Sequence, residues 1–135
     1  MQMPYTLTFS RQVEIADDDQ YINGCCIGGD VVLGRLLPAL RSKYGNELHA
    51  NQEDWGWFAW FEDGPIKLAV DISTDDDRSK FQVLLSARRP RFILSDKVED
   101  CAELETLREL VVQRLTDWPV SNLSVQRVNE KHLPA

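Results

Sequence analysis

Between residues 55 and 72 the chain reads WGWFAWFEDGPIKLAVDI. Two apolar runs flank Asp63-Gly64, the dipeptide that most strongly favours a two-residue hairpin turn. A turn centred there sets a register: Glu62 opposite Pro65, Phe61 opposite Ile66, Trp60 opposite Lys67. Side chains alternate between the two faces of a strand. Trp55, Trp57, Ala59 and Phe61 therefore share a face with Ile66, Leu68, Val70 and Ile72. That face is continuous and apolar, and it must be buried. The opposite face carries Gly56, Phe58, Trp60 and Glu62 beside Pro65, Lys67, Ala69 and Asp71, a mixed set that also needs a structural account.

The flanking segments supply what this hairpin packs with. Tyr5, Leu7 and Phe9 alternate with Thr6, Thr8 and Ser10, a half-buried strand that Val13 and Ile15 continue in phase to about residue 15. After the acidic stretch STDDDRSK, Phe81, Val83, Leu85 and Ala87 point to the core, and Gln82, Leu84, Ser86 and Arg88 to the mixed face. The RFILS run after Pro90 reads as a short extra strand or an extended lead into a helix. Near the end, NLSVQRV alternates as a last strand with Leu123 and Val125 on one face; NEKHLPA after it reads as a frayed tail.

Two segments have helical spacing instead. In residues 30–44, Val32, Leu33, Leu36, Leu37 and Leu40 form a stripe that Tyr44 extends, with Asp30 as N-cap and Gly45 as the stop. Pro38 lies inside, and its missing N–H predicts a kink near residues 34–38. In residues 100–118, Asp100 and Glu103 make a capping box, and Cys101, Leu104, Leu107, Val111 and Leu115 recur on one face, widened by Leu110 and Trp118. NELHANQED, ahead of the aromatic run, reads as a polar loop.

The order is β-α-β-β-β-α-β. It predicts a single α+β domain over residues 1–135: a largely antiparallel sheet of about five strands with two helices packed on one face. The 135 residues suffice for one core. No apolar run approaches 18 residues, so no membrane helix is expected. The first residues lack the basic start and apolar stretch of a secretory signal, so the expected location is the cytoplasm.

Charge narrows the partners. The net charge is −7, and residues 1–77 hold 5 Lys/Arg against 14 Asp/Glu, a balance of −9. A nucleic-acid ligand is disfavoured, because phosphates would meet an acidic surface. The same balance suits a basic protein partner.

The search for chemistry yields structural readings. Cys25, Cys26 and Cys101 are odd in number, include an adjacent pair and lie far in sequence from His49 and His132. They read as reduced thiols rather than as a disulfide framework, a zinc site or a nucleophile with its base. The glycines of NGCCIGGD precede a helix, but no Gly-Lys-Ser/Thr follows, so they read as a tight turn and not a phosphate cradle. Asp17–Asp19 and Asp75–Asp77 lack the alternation of a calcium loop. Glu47, His49, Glu53 and Asp54 share one loop with no recognisable ligand spacing. No cofactor or metal is expected, and no catalytic set is evident.

What remains is the mixed sheet face. With helices on one side only, it would expose Phe58, Trp60 and Leu84, rimmed by Lys67, Asp71, Gln82 and Arg88. Adjacent aromatics with arginine nearby have the composition of a binding hot spot. Alternatively, Trp60 simply covers Lys67, its cross-strand partner in this register, as a cation–π pair. The candidate partner-binding residues are thus Phe58, Trp60, Lys67, Asp71, Leu84 and Arg88, for a protein partner or a second copy of the chain. The size, acidity and α+β plan resemble those of small bacterial immunity and inhibitor proteins, a likeness of architecture that implies a non-catalytic role masking a basic site. The alternative is a small enzyme or ligand-binding domain with a pocket between sheet and helices, for which Asp71, His49, Cys25 and Arg88 are the first polar groups to consider.

Overall fold

The structure, a computed structural model, describes residues 4–15, 17–89, 97–98 and 101–128. In chain order its elements are β1 (Tyr5–Ser10), α1 (Gly29–Tyr44), β2 (His49–Glu53), β3 (Gly56–Asp63), β4 (Ile66–Thr74), β5 (Lys80–Arg89), the two-residue β6 (Lys97–Val98), α2 (Ala102–Asp117) and β7 (Ser121–Arg127). The strands form one sheet in the order β2-β3-β4-β5-β1-β7, and every pairing is antiparallel. β6 pairs with Arg88 and Arg89 at the end of β5. The α+β class and the two helices accord with the sequence. The sheet has more strands than the five expected, because residues 49–53 form an edge strand rather than a polar loop.

Both helices lie on one face of the sheet. Val32, Leu33, Leu36 and Leu40 of α1 and Leu104, Leu107, Val111 and Leu115 of α2 are buried against Leu7, Phe61, Leu68, Val70, Ile72, Val83 and Leu85. These are the sheet positions that the alternation assigned to the core. The two helices also clasp each other: Arg35 Nε donates to the Arg114 carbonyl at 3.4 Å, and Arg114 Nη2 donates to the Arg35 carbonyl at 3.3 Å. The guanidinium groups thus reach past one another to backbone acceptors.

Several local expectations shift. The hairpin turn is Gly64-Pro65, not Asp63-Gly64: Asp63 pairs with Ile66, Phe61 with Leu68 and Trp60 with Ala69. Gly64 takes a positive φ of 60°, and Pro65 cannot, so the turn is the primed type with glycine in its first position. The register moves by two residues, so every side chain keeps its face. β1 ends at Ser10; beyond it, Arg11 stacks its guanidinium over the Trp118 ring at 4.3 Å and donates to the Pro119 carbonyl. The first helix begins at Gly29, capped by Gly28 at φ 81°, while Asp30 in its first turn accepts from the Tyr21 hydroxyl. It runs unbroken through the exposed Pro38. The second helix is capped by Cys101 in extended conformation, without a side-chain cap bond. Asp100, Pro90, the RFILS run and the NEKHLPA tail lie outside the described residues.

Trp55 requires the main correction. It belongs to the two-residue Asp54-Trp55 turn between β2 and β3 and is 39% exposed. Gly56, at φ 147°, lies between it and Trp57. That conformation is open essentially to glycine alone, and it breaks the alternation that would have placed both tryptophans on one face. Trp57 goes to the helix side, donating its indole N–H to the Cys26 carbonyl at 2.8 Å. Its ring lies where a Gly29 side chain would be, 2.6 Å from an added Cβ. Gly29, the first residue of α1, therefore makes room for an aromatic ring, and Gly28 before it forms a close turn.

Candidate functional site

The face of the sheet away from the helices is ordered by its register. One cross-strand row runs Glu62, Lys67, Arg88 over β3, β4 and β5. The next runs His49, Trp60, Ala69, Ser86 from β2 to β5. The third runs Asn51, Phe58, Asp71, Leu84, Thr6, Gln126 across the whole sheet. All six candidate contact residues lie in these rows, on three adjacent strands, so the structure brings them together.

Their exposure is uneven. Trp60 is 44% exposed, whereas Phe58, expected at the surface, is only 2% exposed. Its cover comes from the open side: the Trp60 ring lies 4.2 Å from it, the His49 ring 5.2 Å and the Trp55 ring 6.1 Å, centroid to centroid. The result is a second, aromatic cluster on the side of the sheet that neither α1 nor α2 covers. Leu84 is half-buried; Lys67 and Arg88 are exposed. Trp60 does not have Lys67 as its cross-strand partner. It faces Ala69, and its indole N–H donates to Asp71 Oδ1 at 3.0 Å, which fixes the ring over Phe58.

Next to Trp60 the surface drops. Ala69 and Ser86 are the smallest side chains of their row, and Ser86 is buried. They floor a hollow of about 630 Å³ between Trp60 and the Lys67–Arg88 pair, with His49, Glu47 and Glu62 at its rim. This hollow is at the open face and edge of the sheet. It also reaches Tyr44 of α1 and the helix-facing Phe61 and Leu68, so it opens at the margin between sheet and helix, where a ligand pocket was the alternative expectation; deeper between the layers the side chains have almost no exposed area.

Of the polar groups considered for chemistry, His49 and Arg88 line the hollow and Asp71 holds the Trp60 beside it, while Cys25 lies apart. Cys25 is exposed in the short turn Gly24–Cys26, at the end of the sheet where Cys26 Sγ donates to the Glu53 carbonyl at 3.0 Å. Lys67 and Arg88 lie at the opposite end. Burial pushes the Cys26 thiol pKa up, which keeps it protonated and inert. Among the described residues no group of three or more His, Cys, Asp or Glu is placed to hold a metal ion.

Sequence reasoning missed His49 and Trp55 as parts of this surface; it placed Ser86 on this face without marking it as a contact residue. His49 was hidden because β2 has polar side chains on most positions, as an edge strand does. Its backbone edge is also blunted: Asn51 Oδ1 accepts the Gln52 backbone N–H at 2.8 Å, a group that would otherwise be available to another strand. Set against protein-family models, curated proteins and solved structures, the chain matches none of them.

Proposed function

We propose that this protein is a non-catalytic interaction module and that the open sheet face around Trp60 is its contact surface. The observation that carries the reading is the pairing of a buried Phe58 with an exposed Trp60 on one face that, among the described residues, carries no helix. A tryptophan held in place by a ring beneath it and a hydrogen bond to Asp71 loses little conformational freedom on binding, and rigid aromatic anchors dominate interface energetics. The adjoining hollow offers a partner side chain somewhere to go. Lys67 and Arg88 beside Glu62 supply polar rim contacts that set register more than affinity.

A role as an inhibitor or immunity-type protein is one form of this reading, supported by the acidity of the chain. Acidic residues Asp17, Asp19, Glu53, Asp54 and Asp75–Asp77 border the end of the sheet opposite Arg88, so a basic partner seated on Trp60 would be steered from that end.

A photo-reactive amino acid placed at position 60, with position 22 as an exposed control, tests the reading in the native cells. The expected result is a discrete adduct from position 60 and none from position 22. No adduct from position 60, or the same adduct from both, contradicts it.

A further inference from the structure

We infer that the occupant of the open face is a second copy of this chain, docked by a two-fold axis running along β4. The inference rests on the contact-surface reading above and goes beyond it by naming the partner.

The argument comes from the register. A two-fold along β4 keeps each cross-strand row in place and exchanges β3 with β5 of the other copy. In the top row this sets Glu62 of each copy against Arg88 of the other, twice. In the next row Trp60, the projecting residue, faces Ser86, the floor of the hollow, again twice. In the third row Phe58 and its Trp60 lid face Leu84. In the middle row the bulky side chain lies on β3 and the small ones, Ala69 and Ser86, on β4 and β5. That asymmetry looks arbitrary in one copy and becomes complementary in two. Two-fold interfaces are self-complementary in this sense: residue i meets j, and j meets i. On the axis β4 meets its own copy, so Lys67 faces Lys67 and Asp71 faces Asp71, like-charge contacts that the two flanking Glu62–Arg88 pairs must offset.

Charge supports the same partner. A chain of net charge −7 repels itself. Self-association needs a locally neutral patch, and Glu47 and Glu62 offset Lys67 and Arg88 around the hollow. The extent is adequate as well. A face five strands wide and eight residues long covers roughly 650 Å² in projection. Side-chain relief brings that near the ~800 Å² per partner of a standard interface. Edge-to-edge pairing is the competing arrangement, and the sheet resists it at both edges: Asn51 blunts β2, and β7 is interrupted by a register shift beside Asn122, which has a φ of 57°.

Sedimentation velocity of the full chain over a range of concentrations, with Glu62→Lys and Arg88→Glu variants, decides the matter. Both residues are exposed, so at concentrations where the wild type is a single chain both variants should keep its melting temperature within a few degrees. The wild type should shift reversibly from one chain to two as concentration rises. Each variant alone places like charges opposite each other twice and should weaken association at least about tenfold. An equimolar mixture of the two recreates opposite-charge pairs and should restore dimers of mixed composition. Restoration also shows that each variant is folded. A wild type that stays monomeric overturns the inference, as does a dimer that neither variant weakens. If the wild type is monomeric and position 60 crosslinks to a chain of different mass, the two-fold fails and the contact-surface reading stands. If position 60 gives no adduct at all, both fail.

Discussion

Phe58 and Trp60, two residues apart on β3, stack at 4.2 Å between ring centroids, yet one is 2% exposed and the other 44%. The outer ring shields the inner one on the face opposite α1 and α2. This arrangement separates the contribution of each ring to stability from its availability to a partner.

The first prediction follows from that separation. Phe58→Ala removes a buried ring and leaves a cavity between Trp60 and the sheet, at a cost of about 3–5 kcal/mol. Trp60→Ser loses one partly exposed hydrogen bond and some cover, about 1 kcal/mol. Urea denaturation of the two single variants should rank them in that order. Equal losses would mean that the Trp60 side chain is part of the core.

Gly56 provides a second test. A Cβ built there would lie 1.9 Å from the Ile72 carbonyl oxygen, at a φ of 147°. Backbone atoms cannot move aside as a flexible side chain can. Gly56→Ala should therefore destabilise the fold by about 3 kcal/mol or more. A near-neutral melting curve would show that the turn between Trp55 and Trp57 takes another path.

Much of this fold was legible in the sequence, and the failures have local causes. The core faces of β3, β4 and β5 followed from alternation, and they survived a turn displaced by one position because the register then moves by two. Trp55 was misplaced because alternation assumes an unbroken strand, and Gly56 breaks it. β2 was missed because HANQE buries only half of one face. Among the candidate contact residues, the grouping of Trp60, Lys67, Asp71, Leu84 and Arg88 followed from counting positions. The burial of Phe58 did not, since it depends on rings from β2 and from the 54–55 turn.

Stability at high pH gives a third prediction. Burial, reinforced by the nearby Asp63 carboxylate, pushes the Tyr44 hydroxyl from its ordinary 10.0 up to about 12. Burial also raises Tyr5, with its hydroxyl bonded to Glu105, and Cys26. Each of these groups keeps its proton in the folded chain at a pH where the unfolded chain has lost it. The stability they contribute is intact below their ordinary values and drains as pH rises through the folded ones. For Tyr44 that window runs from pH 10.0 to about 12. Tyr44→Phe should flatten the fall of unfolding free energy across it. An unchanged slope would place the phenol in water.

The thiols offer a fourth. Cys25 is exposed and Cys26 fully buried one residue away. A thiol reagent added to the native protein should label Cys25 within minutes and leave Cys26 untouched until the chain unfolds. Labelling both at one rate would mean that the Gly24–Cys26 turn does not pack against β3.

The central claim is that the open face is covered by a partner where the protein works. Oxidative footprinting of tryptophan compares the purified protein at high dilution with the same protein inside its native cells. In the dilute sample Trp60 and Trp55, the two exposed tryptophans, should be modified faster than Trp57 and Trp118. Inside cells the account predicts that Trp60 becomes protected to the level of Trp57. A Trp60 modified equally fast in both settings would contradict it.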